Sequence, residues 1–234
     1  MLNTKQNKYL PLLLLTMPLL LMANSAVAHN VSAEDIARIG GKGGMQLGLY
    51  LWLGAKHMVT GYDHLLFLLG VIFYLKNLRE IITLVSLFAL GHSITLIGGV
   101  LAGLNISPYL VDAIIGFSVA YKGFDNLNGF NALLGERPNE KVAVLVFGLF
   151  HGLGLATKLQ DLGLHPDGLL ANLISFNVGV EIGQIAALAV LLVLFNVTGE
   201  LRRKRGFAIP VNVGLILAGF ALMSHQLLLS LIHI

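Results

Sequence analysis

Between Met45 and Ile232 the chain passes through one long apolar stretch after another, separated only by short polar gaps. A stretch of about 20 apolar residues has two homes, the interior of a large protein or a lipid bilayer. A chain of 234 residues is too small to bury several of them, and only 12% of its residues are Asp, Glu, Lys or Arg, against roughly 25% in a soluble domain. The mean hydropathy of +0.81 and the 27 glycines fit lipid-embedded helices that approach one another closely. The expected fold class is therefore all-α, a polytopic integral membrane helix bundle with about six transmembrane helices behind a cleaved signal peptide.

The order of segments sets the expected boundaries. Lys5 and Lys8, an apolar run over 10–22 and the small residues Ala26 and Ala28 make residues 1–28 a secretory signal peptide. Residues 29–44 form a short extracytoplasmic segment, and residues 45–234 form one six-span membrane domain. The apolar runs cover about 45–75, 81–104, 108–124, 142–159, 169–197 and 209–232. The first is too long for one upright crossing at about 1.5 Å per residue, so it is tilted, broken near Thr60-Gly61, or partly interfacial.

Loop charges give the orientation. Lys76 and Arg79 follow the first run, Arg137 and Lys141 the third, and Arg202, Arg203, Lys204 and Arg205 the fifth. Those alternate loops are expected on the cytoplasmic side, which puts the mature amino terminus and the carboxyl terminus on the other. The same placement of Lys and Arg explains the basic pI of 9.2 without nucleic acid, and none is expected as a partner. The absence of cysteine excludes disulfides, thiolate metal sites and thiol redox chemistry. The segment Gly40-Gly41-Lys42-Gly43-Gly44 lacks the spacing and the Ser or Thr of a phosphate-binding loop, so ATP is not the expected energy source.

Ionisable residues at membrane depth cost at least about 2.5 kcal/mol on insertion scales, so each calls for a reason. His57, Asp63 and His64 lie in the first run, His92 in the second, His151 in the fourth and Glu181 in the fifth, with Asn177 and Gln184 beside Glu181. On a continuous helix His57 and His64 share a face two turns apart, and Asn177, Glu181 and Gln184 form one polar stripe. Gly148 and Gly152 bracket His151, and Gly179 and Gly183 bracket Glu181, at the spacing that lets helices press together. Any one of these residues suits an interhelical hydrogen bond equally well. Together, four histidines and two carboxylates without a thiol suit a borderline divalent cation such as nickel, cobalt or zinc.

At these residues the sequence resembles the HupE/UreJ family of membrane proteins associated with nickel hydrogenase and urease systems. The matching elements are His57, Asp63 and His64 continuing into Leu65-Leu66-Phe67, the neighbourhood of His92, Phe150-His151-Gly152-Leu153-Gly154, and Phe176-Asn177-Val178-Gly179-Val180-Glu181-Ile182-Gly183-Gln184. Leu153 to Thr157 stands where the better-described nickel branch continues to a second His and a Glu, which marks a divergent branch. The resemblance implies a bacterial inner (cytoplasmic) membrane permease for a divalent metal ion, nickel first and cobalt or zinc next. The cation would be cargo, with no tightly bound cofactor. The path would be lined by His57, Asp63, His64, His92, His151 and Glu181, supported by Asn177 and Gln184. The expected partners are the lipid bilayer, the ion itself and an outer-membrane or periplasmic protein that delivers it. No enzyme activity is expected, and the alternatives are an intramembrane metalloenzyme or a metal- or haem-binding membrane subunit.

Overall fold

The computed structural model describes residues 43–75, 77–160, 165–198 and 204–232. The expected signal peptide over 1–28 and most of the segment 29–44 lie outside the described residues, as do Lys76, Arg202 and Arg203. Among the described residues the regular elements are helices: α1 (Leu47–Thr60), α2 (Tyr62–Ile72), α3 (Leu78–Leu101), α4 (Pro108–Asn126), α5 (Gly129–Leu134), α6 (Glu140–Gln160), α7 (Leu169–Thr198) and α8 (Arg205–Ile232).

Their starts follow local chemistry. The Asn77 side chain accepts from the Arg79 amide at 3.0 Å and so caps α3, and Asn139 does the same for α6 through the Lys141 and Val142 amides. Pro108 begins α4, where its missing amide hydrogen costs nothing. Among the described residues four helices, α3, α6, α7 and α8, are long and apolar enough to cross a membrane. The first apolar run is broken, as one of the sequence alternatives held, with α1 and α2 meeting at Gly61. The run over 108–124 lies in α4, a helix of 19 residues that carries Asp112, Lys122 and Asp125.

Glycines set the packing. The three extensive seams are α1 with α7, α3 with α6 and α4 with α8. A side chain at Gly179 would run into the Leu51 carbonyl, one at Gly148 into the Phe88 carbonyl, and one at Gly219 into the Ala120 backbone. The contact order shows direction. Gly54 meets Phe176 while Gly183 meets Met58, and Gly148 meets Phe88 while Gly152 meets His92, so both of these pairs run parallel. Gly116 meets Met223 and Gly123 meets Asn212, so α4 and α8 run antiparallel.

The charges of α4 are neutralised inside the bundle. Lys158 of α6 donates to both carboxylate oxygens of Asp112 at 2.9 and 2.7 Å. Buried Lys122 bridges Asp125, at 2.9 Å, and Glu140, while Arg137 grips Asp125 from the other side at 2.9 Å. Asn126 donates to the Gly70 carbonyl and to Asn212, tying α2, α4 and α8 together. Removing one partner of a buried ion pair costs about 3–5 kcal/mol because the other charge is left without compensation. Lys122→Met is expected towards the lower end of that range, since Arg137 still holds Asp125, and thermal unfolding of the purified protein measures it.

Candidate metal centre

The break at Gly61 builds the site. Two histidines seven residues apart on a continuous helix are separated by about 10.5 Å of rise. The His57 and His64 rings instead lie 5.0 Å apart, because the backbone at Gly61 turns extended (ψ 103°) and starts α2 afresh beside the end of α1. The shared face read on a continuous helix is thereby corrected to a direct ring contact. A side chain at Gly61 would stand 2.7 Å from His64 Nδ1, so the bend requires glycine for space.

The seam of α3 and α6 brings the remaining rings. His151 lies 4.9 Å from His64, centre to centre, and His92 projects from α3 beside them. Donor atoms of His57, His64 and His92 all lie within 4.8 Å of one another, and so do those of Asp63, His64 and His151. His64 belongs to both sets. Asp63, His64, His92 and His151 are each at most 3% exposed. Phe67, Phe88 and Phe176 pack against the rings and close the site to bulk water.

Hydrogen bonds fix which nitrogens are available. His151 Nδ1 donates to the Phe147 carbonyl at 2.7 Å, since that oxygen can only accept, and the neutral ring keeps its lone pair on Nε2. His64 Nδ1 lies 3.0 Å from Asp63 Oδ1; with Asp63 ionised the ring donates, and that tautomer keeps the lone pair on His64 Nε2. This carboxylate-to-imidazole arrangement is the one that orients a metal-ligating histidine. Among the described residues His57 Nε2, His64 Nε2, both ring nitrogens of His92 and His151 Nε2 are buried without a hydrogen-bond partner. Buried nitrogens of that number are costly unless something binds them.

Two expected supporting residues line the site. Asn177 is buried on α7, accepts from the Ser93 hydroxyl at 3.0 Å and ties α7 to α3. Gln184 is 3% exposed and lines, with His64, Met58 and Phe88, a cavity of about 10 Å³, room for about one water. Glu181 does not join them. It is exposed, because α7 turns its Phe176, Val180 and Gly183 side against α1 and Glu181 falls about 40° beyond Asn177 in the opposite sense. The polar stripe is real, but its edge faces outward. Haem between His92 and His151 does not fit, since α3 and α6 are pressed together at Gly152 and His92.

Sequence reading missed the groups that aim the rings. The Phe147 carbonyl carries no side-chain signal, and Thr95, which donates to the Leu149 carbonyl at 2.6 Å and pins α3 to α6 beside the histidines, reads as an ordinary helix residue.

These features define a helical membrane protein with a buried histidine and carboxylate centre. The description HupE / UreJ protein matches residues 33–232, and the chain belongs to that family. Membership points to a nickel- or cobalt-linked accessory or transport role. No curated protein and no solved structure matches the chain.

Proposed function

We propose that the chain is an ATP-independent permease that carries a divalent transition-metal cation, nickel first among the candidates, across the bacterial inner membrane. The observation that carries this reading is the convergence of five unpartnered imidazole nitrogens and the Asp63 carboxylate in two sets that share His64. Neutral imidazole suits a borderline cation, and the carboxylate offsets its charge. Two overlapping sets let one ion move between ligands without being caged by four at once, which fits release as well as capture. The ion is cargo, and no catalytic step is assigned to the site.

Six crossings belong to this reading. With α1 and α2 as the first crossing and α4 as the third, spans one and five run the same way, two and four the same way, and three and six oppositely. The parallel pairs α1/α7 and α3/α6 and the antiparallel pair α4/α8 support that alternation. The loop charges then put both ends of the mature chain in the periplasm, where a delivery partner would hand over the ion. Uptake of radiolabelled nickel, with cobalt and zinc as competitors, in cells without their own nickel importers tests the proposal. His57→Ala and His151→Ala are each expected to abolish uptake at unchanged membrane abundance. Normal transport by both variants would place the path elsewhere.

A further inference from the structure

One face of α6 joins the histidine centre to the end of the bundle. Glu140, Val144, Phe147 and His151 follow at steps of four, three and four, so they lie within about 60° of arc along about 16 Å of helix. Beside this face are two cavities of about 10 Å³ each, with room for about one water apiece. The first has His64 and Gln184 in its wall. The second has Lys122, Asp125 and Glu140, and the Glu140 side chain is 36% exposed, so this cavity lies against the surface.

Phe67 and Val144, both buried, line the first cavity and the second alike and form the wall between them. The Phe67 ring stands 5.6 Å from that of His151 and 5.7 Å from that of Phe147, centre to centre, and Tyr121 backs Phe147 at 5.1 Å. An ion finds no ligand in such a wall, and an apolar constriction closes a path by excluding water. Valine on a helix holds one rotamer, whereas the Phe67 ring has a cavity on either side to turn into.

Resting on the transport reading, we propose that the ion leaves the histidine centre towards the Glu140 end of α6 and that Phe67 is the gate it passes. In the orientation proposed above that end is cytoplasmic. Beyond the gate Lys122 and Arg137 already compensate Asp125 and Glu140, so the second cavity has no spare negative charge to retain the ion. Capture and release are thereby divided, with unpartnered imidazole nitrogens on one side of Phe67 and paired carboxylates on the other.

Equilibrium nickel binding and nickel entry into proteoliposomes, measured on the same purified full-length chain, test the gate. Phe67→Trp thickens the wall and is expected to lower entry about tenfold at unchanged binding, and Phe67→Leu thins it and is expected to raise entry about threefold, again at unchanged binding. A residue that only packs against His151 would change binding and entry together, and that result overturns the proposal. Thiol labelling follows the same route without transport, since the chain has no cysteine. With a cationic methanethiosulfonate reagent added at the Glu140 end, Ala143→Cys in the second cavity is expected to react. Met58→Cys in the first is expected to react only when Phe67→Ala or Phe67→Leu accompanies it, so a tryptophan variant that does not fold leaves the test standing. Met58→Cys labelling that neither companion substitution changes overturns the gate alone, as does wild-type entry by both the tryptophan and the leucine variant. No entry through wild-type protein overturns the transport reading and the gate with it.

Discussion

Replacing His64 by alanine is expected to remove nickel binding and nickel uptake together. His64 is the one ring shared by the two donor sets, so its loss breaks both, whereas His57→Ala leaves the Asp63, His64 and His151 set and His151→Ala leaves the His57, His64 and His92 set. Equilibrium binding to purified protein separates the cases. Residual nickel binding is expected in His57→Ala and in His151→Ala, and none above background in His64→Ala. The substitution also removes the ring partner of Asp63 Oδ1, so thermal unfolding of the variant is measured beside binding, and a folded protein that has lost nickel binding is the expected outcome. A His64→Ala protein that binds nickel as well as wild type would show that the histidines only brace the bundle.

Gly152→Ala is expected to damage the fold and the site at once. A side-chain carbon there would collide with the His92 carbonyl oxygen and the Thr95 hydroxyl, and a helix carbonyl cannot swing aside as a side chain can. The strain must part α3 from α6, which carry His92 and His151. Overpacking of this kind costs about 1–3 kcal/mol. Gly98, on α3 as well, has nothing within 4 Å of the same added carbon, and Gly98→Ala is expected to be neutral or to stabilise by about 0.4–1 kcal/mol. Thermal unfolding of the two variants beside wild type tests the contrast. Equal effects would show that helix propensity, and not the closeness of α3 to α6, governs this seam.

Much of this architecture is written in patterns that survive without coordinates. Apolar run length marks where helices lie, whereas the caps at Asn77 and Asn139, a few residues before the runs at 81 and 142, came only from the structure. The paired glycines around His151 announce a close seam, and the α3/α6 contact is that seam. The histidines and Asp63 stand out because charge at membrane depth needs a reason, and five of the six expected ligands do gather. Glu181 was not legible, because a stripe spaced by four and three fixes a helix face but not which edge the neighbouring helix covers. Nor was the closeness of His57 and His64, which depends on the backbone bend at Gly61. The ion pairs of α4 were hidden for a related reason: Lys158 and Asp112 are far apart in the chain and meet only where α6 packs beside α4.

The most direct measurement is nickel entry into proteoliposomes that contain only the purified chain and a trapped metal-sensitive dye. On this account an imposed nickel gradient drives entry through wild-type protein without ATP, and His64→Ala vesicles stay at the rate of empty liposomes. Nickel held tightly by the wild-type protein with no entry above that rate would contradict transport and leave a metal-binding membrane subunit in its place.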